Sequence, residues 1–160
     1  RGQPALALEA AKFAYSKMPE DFQVLMVYAL TKRDTNDADG ARAILKIAGK
    51  VAHQDPARLV AVALRQLSLA DIAGAQYSLE KAISSAPDYL AAQILMVEVD
   101  MRQGDRAKAE RRARAIVSSN PSRSSGYSML GDISLAQGQL GQAVEHYRKA
   151  HAVEPSRETF

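Results

Sequence analysis

The sequence predicts an all-α chain organised as an array of repeats, on the strength of its composition and three recurring columns of residues. Alanine and leucine are abundant, tryptophan is absent, and only nine glycines and six prolines interrupt 160 residues. That balance favours helices. Pro19, Pro87, Pro121 and Pro155 are separated by 34 residues or twice 34, and His53 fills the vacant place. Ala7, Ala41, Ala75, Ala109 and Ala143 keep the same period, as does a column reading Ala14, Ala48, Ala82, Ile116, Ala150. No insertion or deletion breaks the register. Units of this length bury their apolar faces against their neighbours, so the chain reads as a stacked array.

The stretch "GYSMLGDISLAQGQLGQAVEHYRKAHAVEP" carries a family resemblance. It is similar to the tetratricopeptide repeat: Tyr127 stands for the signature tryptophan, Leu130 and Gly131 match the Leu-Gly pair, and Ser134 replaces the first tyrosine. Ala143, Tyr147, Ala150 and Pro155 complete the pattern. The resemblance implies an α-solenoid, a right-handed superhelix of antiparallel helix pairs. The register predicts a single array over 1–160: a half repeat at 1–21, full repeats at 22–55, 56–89, 90–123 and 124–157, and the start of another at 158–160. The expected A and B helices are 22–34 and 38–52, 56–69 and 72–86, 89–103 and 106–119, then 123–137 and 140–153.

Each element has local reasons. Proline after a B helix stops it, because it lacks an amide hydrogen and disfavours a helical residue before it. Pro4 and Pro56 suit a helix's first turn, where the missing donor costs nothing. Ala29, Ala63 and Gly131 keep A helices narrow where B helices cross them, with Val97 as the exception; Tyr28, Val62, Met96 and Leu130 fill the spaces between. The segment "DTNDADG", residues 34–40, resembles a calcium loop, but in the frame beginning at Thr35 the closing position is Lys46, a cation where a bidentate glutamate belongs. In register it aligns with "SLADIAG" and "RQGDRAK" as a turn. Asn36 falls at a left-handed position, Asp37 at the N-cap of a B helix and Asp39 in its first turn.

The net charge of +3 falls short of a nucleic-acid signature, and zero cysteines exclude disulfides and thiolate chemistry. His146 and His151 are five apart and cannot share a ligand as an i, i+4 pair would. There is no phosphate loop, no nucleophile elbow and no paired-carboxylate motif. The chain reads as noncatalytic, with no cofactor and no metal. The run "RQGDRAKAERRARA", residues 102–115, reads as a solvated B-helix face. The last B helix offers Leu140, Val144 and Tyr147 to a further neighbour, which predicts a longer parent chain or end-to-end self-association.

The resemblance implies that A helices line a concave, peptide-binding face, formed here by Met26, Leu30, Arg33, Val60, Leu64, Leu67, Ile94, Glu98, Met101, Ser128, Asp132 and Leu135. The lysine, asparagine and arginine that grip a C-terminal carboxylate in chaperone-binding members have no counterparts. A mostly apolar groove fits an amphipathic helix or apolar segment of a protein partner, oriented by Glu98 and Asp132. A nucleic-acid-binding helical repeat is the rival reading, and a regulatory segment of a larger enzyme a third. The cadence of "LGDISLAQGQLGQAVEHYRKAHAVEPSRET" also resembles bacterial proteins encoded with exosortase/PEP-CTERM exopolysaccharide systems. That implies a periplasmic or envelope scaffold; without it the cytoplasm is expected.

Overall fold

The computed structural model describes residues 4–154, so Pro155 and the expected start of another repeat at 158–160 lie outside the described residues. Those residues form nine helices and no strand: α1 Pro4–Lys17, α2 Phe22–Asp34, α3 Ala38–Val51, α4 Pro56–Ser68, α5 Ile72–Ser85, α6 Leu90–Arg102, α7 Arg106–Ser119, α8 Ser124–Ala136 and α9 Leu140–Val153. Each boundary falls within a residue of the expected one. None of these helices is long and apolar enough to cross a membrane.

The chain divides into two units, Arg1–Tyr89 and Leu90–Phe160. In the first, Leu25, Leu45, Leu59, Val62 and Leu79 are fully buried, with Ala41, Ala48, Ala63, Ala75 and Ala82 at the helix crossings. Tyr15 of α1 stacks on Tyr28 of α2, ring centroids 5.1 Å apart. In the second, Val97, Ala109, Ala113, Ile116, Leu130 and Ile133 form one core cluster. The two alanine-rich columns are therefore buried where helices meet, except that Ala7 is exposed and Ala14 half-buried. Leu140 and Val144 of α9 are exposed.

The turns within the first three full repeats reuse one device, which the fourth lacks because Gln139 makes no side-chain cap. Asp37, Asp71 and Asp105 accept hydrogen bonds from the amides of Gly40, Gly74 and Lys108, at 2.8, 3.0 and 3.0 Å. Each cap satisfies a donor that the helix start leaves free. Asp37 also meets Lys32 Nζ at 2.6 Å, which with the Gly40 amide holds its carboxyl below the usual carboxylate range. The preceding residue is left-handed in every repeat, with φ of 63° at Asn36, 55° at Ala70, 80° at Gly104 and 75° at Gly138.

Alanine at 70 is the misfit, since a Cβ in this region costs about 1–2 kcal/mol. Ala70→Gly is expected to raise stability by about 1 kcal/mol, read as a higher urea midpoint at unchanged m-value. His53, which stands in the proline column, adopts φ 49°. Proline is locked near −65° and has no access to that conformation. The α3–α4 turn is thus built differently from those at Pro19 and Pro121, rather than being the same turn with one residue exchanged.

Candidate functional site: the α6–α8 groove

In the second unit, α6 and α8 leave a cavity of about 310 Å³ lined by Val97, Glu98, Met101, Met129, Asp132 and Ile133. Val97 and Ile133 are buried and form its base. Met101 and Met129 pack partly on the core and partly face the opening. Unbranched thioether side chains of this kind adapt to varied apolar surfaces.

Two carboxylates flank this apolar bed. Glu98 accepts from Arg102 Nε at 3.0 Å and Nη2 at 2.6 Å. Asp132 accepts from the Tyr147 hydroxyl at 2.6 Å. That bond raises the Tyr147 phenol above its ordinary value, because the proton is shared with a carboxylate, and partial burial adds to the effect. The Tyr147 ring lies against α8 at Gly131, where a methyl group would stand 2.6 Å from it. The glycine of the Leu-Gly pair thus makes room for the aromatic ring that positions Asp132.

Of the residues expected on the concave face, Glu98, Met101 and Asp132 come together in this groove. Ile94 packs beside them on the core cluster, Ser128 is half-buried, and Leu135 is exposed. In the first unit the outcome differs. Val60 and Leu67 are only 8 % and 5 % exposed, so they belong to the packing rather than to an open lining. Leu30 and Arg33 border a cleft of only about 10 Å³ with Arg65 and Ser68, and Arg33 turns its guanidinium onto Asp34 at 2.7 Å. Met26 is half-buried and Leu64 exposed. Repeat position alone does not mark Met129 as a lining residue or Tyr147 as a positioning one, although Tyr147 occupies the aromatic column of the repeat pattern.

The basic run is not uniformly solvated. Asp100, fully buried on α6, receives Arg112 Nε on Oδ2 at 2.6 Å. Lys108 Nζ lies 3.0 Å from Oδ1, close enough for ion pairing but off the line of a hydrogen bond. Two cations of the run therefore fasten α7 to α6, and Arg114 pairs with Glu110 along α7. At the other end of the unit, Glu154 accepts from the Ser124 amide at 3.1 Å and from its hydroxyl. This bridge starts α8, whose own N-cap residue, Arg123, makes no side-chain cap. No cluster of three potential metal ligands occurs among the described residues.

Residues 66–133 match the family model for the tetratricopeptide repeat. No curated protein matches the sequence. Among solved structures, the chain is similar to MamA, with a TM-score of 0.69 at 20 % identity over 92 % of this chain and 86 % of that one. It is similar to a thermophilic tetratricopeptide protein of Thermus thermophilus, with a TM-score of 0.67 at 19 % identity over 96 % and 84 % of the two chains. It is also similar to YrrB, described as a tetratricopeptide protein with an unusual peptide-binding site, with a TM-score of 0.67 at 13 % identity over 96 % and 79 %. The fold class is accordingly all-α and of the tetratricopeptide solenoid type. The likeness to exopolysaccharide-system proteins finds no support in these matches.

Proposed function

We propose that the protein is a noncatalytic interaction scaffold that seats an apolar, basic-flanked segment of a protein partner in the α6–α8 groove. The observation that carries this reading is the pairing of a Met101–Met129 bed with the Glu98 and Asp132 carboxylates at its edges. An amphipathic helix offers the matching arrangement, with apolar anchors inward and lysine or arginine at the rim. YrrB's peptide-binding site, on a similar fold at low identity, is consistent with such a role. The nucleic-acid reading is not favoured, because the basic run spends Lys108 and Arg112 on Asp100.

The test is a panel of fluorescein-labelled amphipathic peptides, with leucines on one face and lysine flanks, followed by fluorescence polarisation. Met101→Glu and Met129→Glu place an uncompensated charge in the apolar bed and are expected to weaken binding about tenfold or more, because central anchors dominate such contacts. Helical circular dichroism should be unchanged. Equal affinity in both folded variants, or no binding of any panel member by the unaltered protein, would remove the groove from consideration.

A further inference from the structure

A larger opening lies in the first unit, where α3, α4 and α5 enclose about 540 Å³. This volume is within the range of pockets that take whole ligands or side chains. Fully buried Leu59 contributes to the lining, and Ser78 Oγ donates to Gln66 Oε1 at 2.8 Å in the same wall. That internal bond leaves the wall without an unmet polar demand there. Tyr77, about two-thirds exposed, adds an aromatic surface.

The rim has one sign. Arg42, Lys46 and Lys50 succeed one another every fourth residue along one edge of α3, a stripe about 12 Å long at 1.5 Å per residue. Lys81 on α5 is also part of the lining and reaches across to donate to the Gly49 carbonyl at 3.3 Å. Arg42 is occupied, donating to Asp39 at 2.7 Å and to the Leu69 carbonyl at 2.9 Å. Lys46 and Lys50 hold no ion pair among the described residues, and both are exposed. The sole carboxylate in the lining, Asp71, already caps Gly74.

Gly49 supplies a second, independent sign. It sits in the last turn of α3, where glycine costs about 0.5–1 kcal/mol relative to alanine. Packing does not require it: a Cβ would meet only Val62 Cγ1 at 3.8 Å and Ser78 Oγ at 3.9 Å, ordinary contacts. What the missing side chain provides is room in the crevice.

We infer that the α3–α5 crevice is a second docking site, taking an acidic segment of a partner protein that inserts one large apolar side chain between α3 and α5. Charges spread along a 12 Å edge suit successive carboxylates of a chain better than one compact anion. The apolar lining and the space at Gly49 suit the inserted side chain. This site lies in the other unit from the α6–α8 groove, wants the opposite charge, and does not depend on that groove binding anything.

The probe is a fluorescein-labelled peptide with a single tryptophan between pairs of glutamates, read by fluorescence polarisation. Its counterparts carry alanine for tryptophan, or lysines for the glutamates. The expected result is binding of the first peptide that weakens at least tenfold with either replacement, and that also falls as sodium chloride rises from about 50 to 500 mM. Lys46→Glu/Lys50→Glu touches only exposed side chains and should weaken binding at least tenfold. Gly49→Leu, which fills the space, should do the same, while Gly49→Ala should fold at least as stably as the unaltered protein. Unchanged affinity in the charge-reversed protein, equal binding of the lysine or alanine peptide, or no binding by the unaltered protein would each overturn the inference. Should Gly49→Leu fail to fold, the charge-reversal variant decides it alone.

Discussion

Arg112→Ala is expected to destabilise the protein by about 2–3 kcal/mol, the scale of a hydrogen bond to a buried charge, measured by urea unfolding at neutral pH. The argument starts from Asp100, which is 0 % exposed and depends on Arg112 and Lys108 to offset the loss of water. Removing Arg112 takes away the hydrogen-bonded cation and leaves Lys108, 3.0 Å away but off the line of a hydrogen bond, as the counter-charge of a buried carboxylate, and breaking such a buried contact is the expensive direction. Asp100→Ala should cost less, because the two freed cations are each about one-third exposed and can turn to solvent. Replacing all three together by apolar residues of similar size should restore most of the stability. A cost below about 1 kcal/mol for Arg112→Ala would place the pair among ordinary surface ion pairs. The clamp matters to the groove as well: Asp100 is locked against α7 while Glu98 and Met101 of the same helix line the cavity.

Gly126→Leu is expected to cost about 3 kcal/mol, and Gly141→Leu close to nothing. At Gly126 a methyl group would already stand 2.8 Å from Val117 Cγ2 and 3.1 Å from the Val117 backbone nitrogen, so α8 has to back away from α7. Forced overpacking of this kind costs about 1–3 kcal/mol, and contact with backbone leaves little room to relax. At Gly141 a Cβ meets nothing within 4 Å. Thermal unfolding of the two variants side by side separates close helix approach from a general effect of lost glycine. A Gly126→Leu protein that melts with the unaltered one would refute the close approach. Because Ile116 and Ile133 share the core beneath the groove, the same substitution should also disturb Met129 and Asp132.

Features set by neighbours in sequence were legible in it. Helix boundaries, the Asp37, Asp71 and Asp105 caps and the left-handed Asn36 all follow from backbone rules acting over four or five residues. Features set by how repeats lean on one another were not. Nothing local distinguishes Lys108 and Arg112, which serve a buried aspartate on the preceding helix, from Arg106 and Arg111 in the same run. Val60 and Leu67 occupy the same repeat positions as Ile94 and Met101, yet they are buried while those two are only partly covered. The positive φ of Ala70 was hidden for another reason: alanine carries no turn signal, and its conformation follows only from its place in the 34-residue register. Of the candidate site, the carboxylates and Met101 were legible from the register, whereas the tyrosine that fixes Asp132 comes from a different helix.

The bridge from Glu154 to Ser124 ties the last described residue of the final repeat to its first helical turn, 30 positions earlier. The carboxylate sits below its ordinary pKa because the Ser124 hydroxyl and amide donate to it. Its contribution is therefore complete above the unfolded carboxylate value and disappears as acid carries the pH down through the folded one. Loosening the tail of α9 thus also frees the head of α8, so acid reaches both ends of the repeat through one carboxylate, while Tyr147 still holds the middle of the two helices together at Asp132 and Gly131.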